Sequence, residues 1–268
     1  MDRIKTKNFS LEHTLECGQV FRYSKRDDFY YLVAGGRVIQ LRQEGEFLYY
    51  HGASEKFIRT YFRLDEDYER IVKELKKDRH VAKAIEKYSG LRLCRQDPWE
   101  CLISYICSAA SNIPRIKGNI ENIARNFGKK IALNGFESHS FPEPADIKEL
   151  CTIKSCGCGF RSGYILETAK KTGREKIKGL RCLPYEDAKK ELMELPGVGE
   201  KVADCVLLFS LGFDEAFPID VWVKRTMEKL YFRGRKTSIK DIRKFALEKF
   251  GRYAGYAQQF LFHAERNG

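Results

Sequence analysis

The stretch that decides the fold runs from residue 185 to residue 211 and reads YEDAKKELMELPGVGEKVADCVLLFSL. Apolar residues at helical spacing predict one helix over 185–195 and another over 202–211, on either side of the LPGVG turn at 195–199. Proline ends the first helix, the glycines permit a sharp reversal, and the second helix begins with free N–H groups. Such a helix start favours a phosphate oxygen, because its donors are unpaired and its dipole end is positive. On spacing alone, an ordinary packing turn remains the alternative.

Composition limits the classes of protein to which the chain can belong. Its 268 residues carry 49 Lys and Arg against 37 Asp and Glu, a net charge of +12 that suggests a polyanionic partner. No segment approaches the roughly 18 consecutive apolar residues of a membrane span, and no signal peptide is evident. We therefore expect a soluble intracellular protein without a membrane partner, in the cytoplasm or nucleoid of a prokaryote or the nucleus of a eukaryote.

Nine cysteines at irregular spacing are a poor framework for disulfides, so we expect free thiols. Eight of them are expected to be packing residues. Cys151, Cys156 and Cys158 form a local cluster, but a structural zinc site needs four ligands and the nearest histidine has no paired partner. No cysteine follows Cys205, so a C-terminal iron–sulfur loop is not expected either. The sequence predicts no metal and no cofactor.

The first quarter of the chain has the pattern of β-structure, and the rest has the pattern of helices. Two β-rich runs within 29–40 flank Gly35-Gly36, which predicts a hairpin, and residues 47–50 predict a further strand. Helical spacing begins near residue 54. Beyond it we expect a buried helix over 99–110, a helix over 114–127 and a loop over 135–144.

The predicted fold class is therefore α+β, an N-terminal antiparallel sheet followed by two mostly helical subdomains. We place the sheet domain at 1–78 and the first helical subdomain at 79–190. The second, at 191–268, holds the LPGVG turn, interpreted as a helix-hairpin-helix motif, and a C-terminal helix.

Five segments together carry a specific resemblance. They are GQVFRY (18–23), RQDPWECLISYICS (95–108), ELPGVGEKVADCVLLFSLG (194–212), FPIDVWVKR (217–225) and YAGYAQQFLF (253–262). In this order they resemble the helix-hairpin-helix DNA glycosylases, specifically the 8-oxoguanine DNA glycosylase family of the eukaryotic type. The resemblance spans the chain from about Gly18 to the C-terminus. It implies a monomeric enzyme that flips and excises 8-oxoguanine from double-stranded DNA and cleaves the strand by β-elimination.

Two residues are candidates for the chemistry. Cleavage of a glycosidic bond develops positive charge on the sugar, which a carboxylate stabilises, and Asp220 is the candidate. A neutral lysine amine can attack C1′ and form a Schiff base. Lys201 begins a helix whose dipole opposes a cation, in a partly desolvated site, so it has a physical reason to lose its proton. We also expect the Lys201 ammonium to lower the pKa of the Cys205 thiol.

The resemblance implies a pocket for the flipped base. Phe262 and Cys205 match the pair that holds the base, Gln258 matches the residue that bonds its Watson–Crick edge, and Pro218 lines the same pocket. Gly18 matches the glycine whose carbonyl accepts the N7–H of 8-oxoguanine and rejects the N7 acceptor of guanine.

A second set of matches is implied to contact DNA: Asn112, Arg115, Phe160, Arg161, Gly197, Gly199 and Trp222. Here the sequence departs from the family. Ala110-Ser111-Asn112 stands where the family has three asparagines, so we expect a less strict preference for cytosine opposite the lesion. Phe160 replaces a wedge tyrosine, and Trp222, which replaces a histidine, is able either to stack or to pack.

Two other functions stay open. A glycosylase for another damaged base, such as an alkylated purine, has no need of an acceptor aimed at N7–H. A non-catalytic DNA-binding protein that uses only the turn has no need of Lys201 or Asp220.

Overall fold

The structure, a computed structural model that describes residues 1–267, begins with an antiparallel sheet. Its strands are β1 (Asp2–Lys5), β2 (Tyr23–Arg26), β3 (Phe29–Ala34), β4 (Arg37–Glu44) and β5 (Phe47–His51). They lie in the order β1-β5-β4-β3-β2. Ala34 pairs with Arg37 across Gly35 and Gly36, which both adopt positive φ, so the predicted hairpin is confirmed.

Alternation along β3 sends its side chains to two different cores. Tyr30, Leu32 and Ala34 join an apolar cluster with residues of α1 (Leu11–Glu16) and α2 (Glu55–Tyr61). Tyr31 and Val33 point to the opposite face and pack with Phe136. Both faces of this strand are therefore covered.

The cover on that second face is a hairpin of β6 (Lys130–Leu133) and β7 (Phe136–His139), so the prediction of a loop over 135–144 is wrong for its first part. Asn134 and Gly135 turn the chain at positive φ, the pair that a tight hairpin prefers. The Phe136 ring stacks on Tyr31 with centroids 4.6 Å apart. Burial of this ring stabilises a hairpin that is marginal alone.

The remainder is helical, which confirms the predicted α+β class. The α-helices that follow α2 are α3 (Tyr68–Leu75), α4 (Arg79–Lys87), α5 (Pro98–Cys107), α6 (Ile113–Phe127), α7 (Leu150–Ile153), α8 (Arg161–Lys171), α9 (Arg174–Gly179), α10 (Tyr185–Met193), α11 (Glu200–Val206), α12 (Val221–Tyr231), α13 (Ile239–Phe250) and α14 (Ala254–Asn267). Short 3-10 turns lie at Pro144–Asp146, Leu180–Cys182 and Gly251–Tyr253, and wider π turns at Lys154–Cys158 and Leu207–Leu211. The domain boundaries at 78 and 190 stay predictions.

Helix α5 is buried on all sides, as its sequence predicts. Asp97 caps its start by accepting the Glu100 N–H at 3.0 Å, and Pro98 occupies the first turn. The helix ends at Cys107, three residues before the predicted end. Ala110 takes a φ of +48°, which a right-handed helix cannot accommodate.

All nine cysteines are free thiols, as predicted. The expectation that eight of them pack in the interior is wrong for two, because Cys151 and Cys182 are exposed. Within residues 1–267, no helix is both long and apolar enough to cross a bilayer.

Candidate active site

The LPGVG turn joins α10 to α11 as predicted and is held against α8. Thr168 Oγ1 donates to the Pro196 carbonyl at 3.1 Å, and the Val198 side chain is buried. Gly197 has a φ of +78°, and a Cβ on it would lie 2.7 Å from the Tyr164 ring. Gly199 is extended and precedes α11. The close approach of Tyr164 explains the glycine at 197. Among residues 1–267, no side chain of the N-cap residue Gly199 caps the first N–H groups of α11.

We expect Gly197→Ala to destabilise the protein by about 2 kcal/mol, because alanine is strained at this φ and its Cβ meets a ring. The thermal midpoint of unfolding should fall, and the Kd for duplex DNA should rise. Gly163→Ala, inside α8 with open space at the Cβ position, is the control and should be neutral or stabilising. Equal thermal midpoints for the two variants would contradict this account of the turn.

Lys201 lies in the first turn of α11 and is held by α5. Its Nζ donates to Ser108 Oγ at 3.0 Å, and Ser108 Oγ donates in turn to the Tyr105 carbonyl at 2.6 Å. The Lys201 Nζ also lies 5.1 Å from the centroid of the Tyr105 ring. Sequence reasoning missed Ser108 and Tyr105 as partners of Lys201. Nothing in their spacing relates residues so far apart in the chain.

Cys205 lies one helical turn after Lys201, on the same face of α11. Burial raises the pKa of the Cys205 thiol to about 12, and the Lys201 charge only partly opposes this rise. The expectation of a lowered Cys205 pKa is therefore wrong. A buried protonated thiol presents a compact, weakly polar surface, which suits contact with a base better than nucleophilic attack.

Asp220 caps the start of α12, with its Oδ1 accepting the Val223 N–H at 2.7 Å. Its charge raises the pKa of Cys205, the same thiol whose pKa the Lys201 charge lowers. Pro218, two residues earlier, is in a buried stretch. Gly255 of α14 donates its N–H to the Asp214 carbonyl at 2.7 Å, which ties α14 to the loop that leads to Asp220.

Helix α14 also brings the predicted base-binding residues toward Gly18. Gln259 Nε2 donates to the Cys17 carbonyl at 2.8 Å, and the Phe262 ring edge lies 3.3 Å from where a Gly18 Cβ would be. Gln258 is only 5% exposed, yet its buried Oε1 has no hydrogen-bond partner among residues 1–267. An unpaired buried acceptor is costly, and a ligand that donates a hydrogen bond removes that cost.

Most of the residues predicted to contact DNA are exposed, whereas Gly197 is half-buried and Arg161 is buried. Phe160 is 62% exposed and Trp222 57% exposed, so Trp222 is not packed in the interior; Asn112 and Arg115 are exposed too. Arg161 is only 2% exposed. Its guanidinium donates to the carbonyls of Ala109, Ala110 and Cys158, so contact with cytosine requires it to leave them.

The three clustered cysteines are divided by the fold. Cys151 is exposed, whereas Cys156 and Cys158 are buried. Within residues 1–267, no three His, Cys, Asp or Glu side chains come together as ligands for a metal ion.

Comparisons with known proteins agree with this fold. Residues 3–102 match the family model described as the N-terminal domain of 8-oxoguanine DNA glycosylase. A probable N-glycosylase/DNA lyase of Methanothermobacter thermautotrophicus is 36% identical, over 71% of this chain and 69% of the relative. The N-glycosylase/DNA lyase of Saccharomyces cerevisiae is 31% identical, over 99% of this chain and 85% of the relative.

A solved structure shows the same likeness in three dimensions over the whole chain. The 8-oxoguanine glycosylase/lyase of Clostridium acetobutylicum, in complex with duplex DNA containing cytosine opposite 8-oxoguanine, is 34% identical. It superposes with a TM-score of 0.91 over 100% of this chain and 98% of that one. Together with these relatives, an antiparallel sheet followed by helices places the chain among the DNA glycosylases of the helix-hairpin-helix type. The relatives identify the family within this class of enzymes. The chain belongs to the 8-oxoguanine DNA glycosylase family of N-glycosylase/DNA lyases.

Proposed function

We propose that the protein acts inside the cell as a monomeric DNA glycosylase and lyase, which excises 8-oxoguanine from duplex DNA and then cleaves the strand. The observation that carries this proposal is the placement of Lys201 in the first turn of α11, where its Nζ donates to Ser108. The charges of Lys201 and Asp220 both act on the pKa of the buried Cys205 thiol. An amine supplies the nucleophile for a Schiff base, and a carboxylate stabilises a cationic sugar.

The first step is excision. Lys201 Nζ, as a neutral amine, forms a bond to C1′ while the bond from C1′ to N9 breaks and its electron pair leaves with the base. Asp220 stabilises the positive charge on the sugar at the transition state. Loss of a proton from Nζ then neutralises the departing base. In this pathway Ser108 orients the amine, because its own proton is committed to the Tyr105 carbonyl and its oxygen accepts from Nζ.

The second step is strand cleavage. Opening of the bond from C1′ to O4′ converts the amine adduct into a protonated imine, with the ring oxygen taking up a proton. Removal of a proton from C2′ then expels the 3′ phosphate by β-elimination. Hydrolysis of the imine releases Lys201.

Uncharged groups of the pocket contribute to the selection of the lesion. The Gly18 carbonyl accepts N7–H, the unpaired Gln258 Oε1 accepts a donor of the Watson–Crick edge, and the base lies between Phe262 and Cys205 beside Pro218. The proposed DNA contacts are Asn112, Arg115, Phe160, Arg161, Gly197, Gly199 and Trp222. The net charge of +12 makes binding dependent on salt.

The test is an excision assay on three duplexes, one with 8-oxoguanine, one with 3-methyladenine and one undamaged. We expect release of 8-oxoguanine with strand cleavage, and a covalent adduct when borohydride is present. Preferential release of 3-methyladenine would favour the alternative glycosylase. Tight binding without base release would favour the non-catalytic protein.

We expect the preference for cytosine opposite the lesion to be less strict than in the family, and Ala110→Asn to strengthen it. The φ of +48° at Ala110 is one that asparagine adopts more readily than alanine, so the variant should fold normally. Excision rates opposite cytosine and opposite adenine measure the preference. Ala109→Asn, in the same loop but outside the family's asparagine run, is the control. A strict cytosine preference in the unmodified protein would contradict the prediction.

A further inference from the structure

An arginine that sequence reasoning did not single out lies against Gly18. Arg266 is in the last turn of α14, and its Nη1 lies 2.8 Å from the position of a Cβ built on Gly18. The Phe262 ring edge lies 3.3 Å from that same point, and Ile113 Cδ1 lies 3.2 Å from it. A guanidinium, the proposed stacking ring and the proposed lesion-reading glycine therefore meet at one place.

The side chain of Arg266 is exposed and available to a ligand. None of the ion pairs or side-chain hydrogen bonds among residues 1–267 involves its guanidinium. Its charge nevertheless affects the pKa values of two residues near Gly18 in the chain, Cys17 and Tyr23. Burial raises the pKa of Cys17 to about 11 and that of Tyr23 to about 12, and Arg266 opposes both rises. The guanidinium therefore lies against Gly18 with its donors unused among residues 1–267.

The chemistry of the lesion identifies what such a donor can recognise. 8-Oxoguanine differs from guanine in two neighbouring atoms: N7 carries a hydrogen, and C8 carries an oxygen. If the Gly18 carbonyl accepts N7–H, O8 lies next to that contact. Guanine has only C8–H there, which accepts no hydrogen bond. A cationic donor at this position distinguishes the two bases a second time.

We propose that Arg266 is a specificity-determining residue that donates hydrogen bonds to O8 of the flipped 8-oxoguanine. This inference rests on the proposed function, and it adds to Gly18 a second residue that recognises the lesion. Arg266 should also increase the rate of excision. When the bond from C1′ to N9 breaks, the electron pair on the base is shared with O8 through C8, so O8 becomes more negative. A cation there is attracted more strongly at the transition state than in the bound substrate.

The experiment compares Arg266→Ala and Arg266→Lys with the unmodified protein. Arg252→Ala is the control for loss of one exposed positive charge near α14. Excision of 8-oxoguanine is measured under single turnover. Binding is measured on a duplex with a tetrahydrofuran abasic analogue, which keeps the phosphates but has no base. We expect Arg266→Ala to slow excision about ten- to a hundredfold, while binding to the abasic duplex changes less than about twofold.

Arg266→Lys should recover part of the rate, because it keeps the charge but loses the planar fork. Excision by Arg266→Ala at the unmodified rate would overturn the proposal. An equal loss of binding to the abasic duplex would also overturn it, by assigning Arg266 to a phosphate. If the unmodified protein released no 8-oxoguanine, the proposed function itself would fail, which is a separate result.

Discussion

Replacement of Lys201 by glutamine is expected to remove the covalent adduct that borohydride traps and to slow base release about a thousandfold or more. Glutamine is similar in length and polarity, and its amide can still donate to Ser108, but it has no nucleophilic amine. The fold should persist, because Lys201 is partly exposed and its polar contact is to one hydroxyl. Single-turnover excision and gel analysis of trapped complexes measure the two effects separately.

Two other variants sharpen this experiment. Lys224→Gln removes a lysine of α12 whose partner is Glu228 at 3.7 Å, and it should leave the adduct unchanged. Ser108→Ala keeps the amine but loses the group that orients it, so trapping should slow about tenfold with little change in DNA affinity. Ser108→Thr, which keeps the hydroxyl, should recover most of the rate. An adduct of unmodified yield with Lys201→Gln would place the nucleophile on another amine.

Sequence patterns predicted the parts of the site whose positions depend only on local secondary structure. Lys201 and Cys205 are one helical turn apart, and Asp220 follows a proline where a helix begins, so their placement follows from secondary structure. The contact of Lys201 with Ser108 joins α11 to α5 and depends on how the helices pack. No periodicity predicts that contact.

Burial was the property that sequence patterns predicted least well. The expectation for the Cys205 pKa considered its charged neighbour and omitted desolvation, which is the larger effect. Arg161 shows the same difficulty, because the family match implies a base contact whereas the fold places its side chain among backbone carbonyls. The hairpin at 130–139 is different. Its Asn134-Gly135 signal was present, and its stabilising partner, Tyr31, is distant in sequence.

Asp220→Asn is expected to lower the excision rate about a hundred- to a thousandfold while the protein stays folded and binds DNA. Asparagine is nearly the same shape, and its Oδ1 can still accept the Val223 N–H that caps α12. The substitution therefore removes the negative charge and keeps the helix cap. Without that charge, the cationic sugar loses its stabilising partner at the transition state.

Asp220→Ala separates the two roles, because it removes both the charge and the cap. Loss of the cap should lower the free energy of unfolding by about 1 kcal/mol, a cost that Asp220→Asn should avoid. Thermal denaturation of both variants, beside excision rates and binding to an 8-oxoguanine duplex, tests this division. If Asp220→Asn excised at the unmodified rate, the carboxylate would be only a cap. If it melted as early as Asp220→Ala, its lost activity would reflect stability, and the electrostatic role would lack support.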